Sequence, residues 1–241
     1  ETWRSTWQVA ADFIGDQPNV TLIVSVEHLN SGGVWTAYST ESVLLACVTA
    51  GGVSFTNDTA VFDGTGSIQC AMPSLQEIVY DMTNGRYTPQ TSCNCKGNPT
   101  ILADVQLTPN TTGSDWENPL VHRALGTSTD MALAATVPAY STIPQAFMQL
   151  NVVGNLAQSN PFIANHMPNS LAASYVKVIA GMQPAFLANG ADPGTGTPPA
   201  SGLAVSNAAT TLTIGYSPVS GQSLHGVLHS LNVDPGCYGT G

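Results

Sequence analysis

Along most of the chain, apolar and polar residues alternate over short runs that Gly, Asn, Asp and Pro interrupt. Val20-Thr21-Leu22-Ile23-Val24-Ser25-Val26 is rich in β-branched residues and is followed by the turn signal Asn30-Ser31-Gly32-Gly33. Ile101, Ala103, Val105 and Leu107 fall on one face of an extended segment, and Leu102, Asp104 and Gln106 on the other. Period-two alternation in short β-branched runs predicts strands joined by tight turns. Strands are expected near residues 20–28, 34–40, 42–49 and 51–56, then at 68–70 and 101–107. The apolar runs Met131–Val137 and Phe147–Val153 and the segments Thr210–Tyr216 and Leu224–Val233 continue the series. Ile78-Val79-Tyr80-Asp81-Met82 reads as a further strand, closed by the hairpin dipeptide Asn84-Gly85, whose residues accept the positive φ of a type I′ turn.

Two segments resist this pattern. Tyr175–Ile179 admits a helix capped by Asn169 or Ser170, with Leu171, Tyr175, Val178, Ile179 and Met182 on its face. Its β-branched centre admits a strand equally well. In Glu1–Gln17, the least strand-like part, Trp7, Ala10, Ala11 and Ile14 fit one short helical face. The chain is therefore expected to be one all-β domain, residues 1–241: an antiparallel β-sandwich or barrel-like fold with long loops and little helix. Residues 1–18 read as an N-terminal arm and 189–202, rich in Gly and Pro, as a flexible surface loop. Pro89–Pro99 and Pro109–Pro119 read as further long loops.

Charge changes the picture. Only 8% of residues are charged, against roughly 25% in average globular proteins, so Ser, Thr, Asn and Gly must meet the solvent. Five cations (Arg4, Arg86, Lys96, Arg123, Lys177) within a net charge of −10 cannot build a basic patch. Binding to nucleic acid or to an anionic membrane surface is therefore not expected. No apolar run approaches the roughly 18 residues of a membrane span. A start at Glu1 without an initiator Met reads as a processed chain or one cut from something longer.

Five cysteines leave at least one free or paired outside the chain. Cys47 and Cys70 both fall on expected strands and are a candidate disulfide. Of Cys93 and Cys95, one is expected to bond a distant cysteine and the other to be spare. The sequons at Asn19, Asn57 and Asn110 are candidate glycosylation sites if the chain enters the secretory pathway.

Three groupings are candidates for chemistry. Cys93-Asn94-Cys95 lacks the second pair of a zinc site. His225 and His229, an even offset apart, would share a strand face, but Gly226 stands where a zincin requires Glu. No metal is expected at either place. Asp115-Trp116-Glu117 sets two carboxylates beside an aromatic ring, the raw material of a sugar site or a glycosidase acid pair. Nucleophile-elbow, phosphate-loop, dinucleotide and EF-hand motifs are absent from the sequence. No catalysis and no cofactor are expected.

The segment Asn19–Ser39 runs from an extended strand (Val20–Val26) through an Asn-Gly turn (Asn30–Gly33) into a Trp-containing strand, Val34-Trp35-Thr36-Ala37-Tyr38. In this layout it resembles the spike domains of astroviruses, among the projecting domains of non-enveloped RNA virus capsids. The resemblance implies a dimeric β-rich spike on the virion surface that attaches to a host receptor or glycan and is met by antibodies. Low charge also favours self-association, since few ions lose water when two faces meet. The recognition surface is expected on Thr88–Pro99, Pro109–Pro119 and Asn189–Gly202, with Asp115, Trp116 and Glu117 as binding residues. Alternatives are a secreted eukaryotic glycoprotein, such as a cell-wall or carbohydrate-binding module, and a secreted glycoside hydrolase.

Overall fold

The computed structural model describes residues 2–82, 92–95, 98–142, 145–164, 168–201, 203–206 and 210–240. The first strands are β1 (Trp3–Asp12), β2 (Asn19–Leu29), β3 (Trp35–Leu44), β4 (Cys47–Ala50), β5 (Val53–Thr56), β6 (Thr59–Asp63) and β7 (Ser67–Ala71). The helix α1 (Leu75–Met82) comes next, then β8 (Ser92–Cys95), β9 (Thr100–Leu107), β10 (Trp116–Leu125), β11 (Ser128–Val137), β12 (Gln145–Val152), β13 (Asn155–Gln158) and β14 (Phe162–Ile163). β15 (Asn169–Val178), β16 (Gly181–Ala188), β17 (Ala204–Ser206), β18 (Thr211–Ile214), β19 (His225–Asp234) and β20 (Cys237–Thr240) complete the order. Strand makes up 63% of residues and helix 3%, so the architecture is all-β, and the two packed antiparallel sheets do not close into a barrel.

The larger sheet runs β16-β15-β9-β19-β1-β20-β8-β17, with β2 and β3 branching from β1 and with β5 and β6 joined to β19. The smaller runs β13-β12-β11-β10-β18-β7-β4, with β14 on β12. Alternate residues of each sheet enter one shared core. Val9, Leu22, Val24, Ile101, Val105 and Val233 come from the larger sheet, and Met131, Leu133, Leu150 and Ile214 from the smaller. Removing such side chains from water at about 25 cal/mol per Å² is the main force holding the sheets together. The turn between β2 and β3 forms as its residues demand. The Asn30 side-chain oxygen accepts the Gly32 and Val34 N–H groups, and Gly33 takes φ 75°.

Four segments differ from expectation. Residues 1–18 are no arm: β1 lies between β2, β19 and β20, and its Trp7, Val9 and Ala11 enter the core with Phe13 just beyond. Ile78–Met82 belongs to a helix, with Leu75 and Val79 buried one turn apart and the Ser74 hydroxyl accepting the Glu77 N–H. The expected hairpin at Asn84-Gly85 lies outside the described residues. Ser92–Cys95, expected in a loop, is strand β8. Trp116 and Glu117, also expected in a loop, begin strand β10. Tyr175 resolves to a strand: β15 alternates Leu171, Ala173 and Tyr175 into the core.

An ion pair lies within the core. Arg123 of β10 is 0% exposed and Asp130 of β11 is 5% exposed, and their side chains form a salt bridge. The indole of Trp7, from the opposite sheet, lies 4.4 Å from the guanidinium carbon. The cation thus reaches across the sandwich and is covered by an aromatic face.

Candidate functional site

At one end of the sandwich, the start of β10, the start of β19, the end of β6 and the loop after β9 enclose a cavity of about 180 Å³. Trp116, His225, Asp63 and the segment from Thr108 to Thr112 line it. The indole is held from several sides. Its Nε1–H donates to the Ser223 carbonyl at 2.9 Å, and the His225 ring meets it edge-on at 6.3 Å between centroids. It also lies over Gly64, where φ is +91° and a Cβ would come within 3.2 Å of the ring. Glycine is the residue that meets both conditions. Behind the indole, the buried Asn118 accepts the His225 N–H at 2.9 Å and donates to the Trp116 carbonyl at 3.3 Å. The Asp63 carboxyl is held below the usual carboxylate range, chiefly by the Thr65 hydroxyl and N–H, with His225 adding to the effect. The cleft therefore presents a flat apolar ring beside a carboxylate, an imidazole and threonine hydroxyls.

The Asp115-Trp116-Glu117 cluster does not act as one unit. Glu117 instead lines a second cavity of about 250 Å³ on the outer face of β10 to β13, together with His122, Gln149 and Asn151. Its carboxylate accepts the Ser220 hydroxyl at 2.9 Å. Asp115 accepts the Ala139 N–H at 3.0 Å, which ties its loop to the end of β11. Asp63 is the carboxylate lining the Trp116 cavity and Glu117 the one lining the second, so Asp115, Trp116 and Glu117 do not share one cavity.

His122 sits on the floor of the second cavity, with Nε2 3.1 Å from the Thr129 hydroxyl. Burial holds its pKa below the ordinary histidine value. A folded pKa below the unfolded one means that the unfolded chain binds the proton more readily. Stability is then present above about pH 6.5 and is lost as pH falls through the lower, folded pKa. Urea midpoints measured between pH 7 and pH 5 should fall, and less steeply in His122→Gln. An identical slope in both proteins would remove His122 as a cause.

The remaining candidates are dispersed. His225 and His229 fall on the same, less buried face of β19, and the β-bulge between Leu228 and Ser230 lies at His229. Among the described residues, no three His, Cys, Asp or Glu side chains group as metal ligands do. Cys47 and Cys70 are joined by a disulfide across β4 and β7. Asn57 is exposed at the β5–β6 turn. Asn19 is half-buried, its amide donating to the Ile14 and Gln17 carbonyls. Asn110 is 5% exposed and its amide nitrogen donates to the Ser114 and Val137 carbonyls. That nitrogen is the atom a glycan would occupy, so Asn110 is a structural residue of the loop and not a glycan acceptor in this fold. Of the loops expected to carry recognition, Pro109–Pro119 contributes to both cavities, and half of Thr88–Pro99 lies outside the described residues.

Comparison with known protein families, with curated proteins and with solved structures gives no match.

Proposed function

We propose that the chain is a non-catalytic, surface-exposed domain that works by attachment, and that its Trp116 cleft takes a neutral carbohydrate. The supporting observation is the cleft's make-up. An indole fixed by Ser223, Gly64 and His225 faces space shared with Asp63 and threonine hydroxyls. The apolar C–H face of a pyranose packs against such a ring, while its hydroxyls donate to the carboxylate and exchange hydrogen bonds with the threonines. In its viral form the proposal makes the chain a capsid spike with a host glycan or receptor and antibodies as partners. The homodimer in this proposal would use the outer edge of β3, a ten-residue edge strand carrying Glu41 as its one charge.

The test is titration of a panel of neutral oligosaccharides by calorimetry. Trp116→Ala should weaken whichever sugar binds by about tenfold or more, as loss of an aromatic anchor does. Glu117→Gln, in the other cavity, should leave that affinity unchanged. Binding that survives Trp116→Ala, or no binding across the panel, would sink the carbohydrate reading. Light scattering on the same sample should show twice the 25.0 kDa chain mass, and a strict monomer would remove the dimer.

Exposure of Asn57 favours one alternative, a secreted glycoprotein module using the same cleft. A mass shift on endoglycosidase digestion of native material, abolished by Asn57→Gln, would select it over the viral form.

A further inference from the structure

The cavity lined by Glu117 and His122 is a hollow on the outer face of the smaller sheet, and strand register explains its shape. Across β10 and β11, Glu117 lies opposite Thr136, Pro119 opposite Ala134 and His122 opposite Ala132. On β12, Gln149 is opposite Ala134 and Asn151 opposite Ala132, and Leu156 of β13 is opposite Asn151. Two alanines thus stand at the centre of the floor with larger side chains around them. The loop after β18 supplies a wall through Val219. We propose that this hollow is a binding site for a small primary amine with an apolar body, its ammonium group held by Glu117 and its hydrocarbon part lying over Ala132 and Ala134. The proposal is independent of the carbohydrate reading.

Glu117 is fixed in place for that role. Its N–H donates to the Gln222 side-chain oxygen at 2.6 Å, and its carboxylate accepts the Ser220 hydroxyl at 2.9 Å. The loop that carries both partners is tied to itself. The Ser217 hydroxyl accepts the Val219 and Ser220 N–H groups, each at 3.3 Å, and the Ser217 carbonyl accepts the Gly221 N–H at 2.8 Å. Among the described residues, salt bridges join Arg4 to Glu27 and Arg123 to Asp130, and none reaches Glu117. No described lining residue is Lys or Arg. Burial keeps His122 toward its neutral form, so the imidazole sets no positive charge against an incoming cation. An ammonium group there donates charge-assisted hydrogen bonds to the carboxylate.

The rims and the volume define the rest of the ligand. Leu156 is 57% exposed and Val219 75% exposed. They stand on opposite sides of the hollow, because β13 and β18 flank β12, β11 and β10 in the sheet. A hydrocarbon body between them takes both side chains out of water. At about 250 Å³, the space is below the roughly 300–1,000 Å³ of pockets for drug-sized ligands. The fitting ligand is therefore a small free amine, such as benzylamine, and not a segment of another protein.

The test uses benzylamine as the probe, with benzyl alcohol as its neutral counterpart and benzoate as its anionic one. Each is titrated at neutral pH into the isotope-labelled chain and followed by amide chemical shifts. Benzylamine should give saturable shifts at Glu117, Ala132, Ala134 and Val219. It should bind about fivefold or more tightly than benzyl alcohol, the advantage of a charge-assisted hydrogen bond over a neutral one, and benzoate should be weakest. Glu117→Gln should remove the amine's advantage over the alcohol. Ala132→Leu, at a half-buried position on the floor, should fill the hollow and abolish binding of both. The Glu117→Gln comparison keeps the test sound whether or not Ala132→Leu folds. Equal affinity for amine and alcohol in the unaltered chain would overturn the proposal. So would an amine preference that survives Glu117→Gln, or saturable shifts confined to other parts of the chain, or no saturable shift at all.

Discussion

Arg123→Ala is expected to lower the free energy of unfolding by about 3–5 kcal/mol, the loss that follows when one partner of a buried ion pair is removed. Against a total stability of about 5–15 kcal/mol, the variant would be unfolded or nearly so. Arg123 is 0% exposed, between its salt-bridge partner Asp130 and the ring of Trp7. Truncating it leaves the Asp130 carboxylate buried without its cation and leaves the space under the indole empty. Replacing both charges, as Arg123→Met with Asp130→Leu, should recover most of the loss, because no ion then remains to be desolvated. Urea denaturation of both variants checks this. A cost below about 1 kcal/mol for Arg123→Ala, in the range of exposed ion pairs, would show that the pair is not held in the core.

The second large effect is at the Cys47–Cys70 disulfide, whose cysteines are 23 positions apart in sequence. Within that loop β5 and β6 leave the smaller sheet to join β19 of the larger, and the chain returns as β7 beside β4. Closing a loop of this length removes freedom from the unfolded chain worth about 3 kcal/mol. Cys47→Ala with Cys70→Ala should cost about that much, and should be used in place of a reductant so that the other cysteines are untouched. An unchanged urea midpoint would mean that β4–β7 pairing alone sets the stability of this corner.

The period-two pattern located about half of the strands, where a sheet buries one face in clean alternation. β9 is the clearest case, with Ile101, Ala103, Val105 and Leu107 all buried. β10 was hidden by Pro119, which lacks the N–H of a central strand and argues against one. The chain tolerates it with a register shift between Pro119 and Val121. The helix was hidden by its β-branched Ile78 and Val79. The signal for it stands just upstream, since Ser74-Leu75-Gln76-Glu77 has the Ser-x-x-Glu form of a capping box. At the N-terminus, Trp7, Val9, Ala11 and Phe13 alternate, but Ala10 and Ile14 suggested a competing helical period.

The candidate site was less readable than the fold. Trp116 and His225 were each picked out by residue type, but they are far apart in sequence and only the topology brings them together. Glu117 adjoins Trp116 in sequence and is carried away from its cleft because neighbouring residues on a strand face opposite ways, while Asp115, in the loop before β10, is turned to the Ala139 N–H. The buried Arg123–Asp130 pair has no local signature at all.

The position of β1 has a consequence for how this protein is made. Val9 pairs with Val233, so β1 waits for all the residues between them to be synthesised before it meets that partner. At roughly 5–20 residues per second, the delay is on the order of ten seconds or longer. During it β1 has β2 beside it, and a lone two-stranded hairpin is at best marginally stable in water. Trp7, Val9, Ala11 and Phe13 then face solvent from an open edge, in a chain whose 8% charged residues provide few of the flanking charges that keep exposed strands apart. The nascent chain is therefore most prone to aggregate before β19 emerges, although the finished protein buries that same face completely.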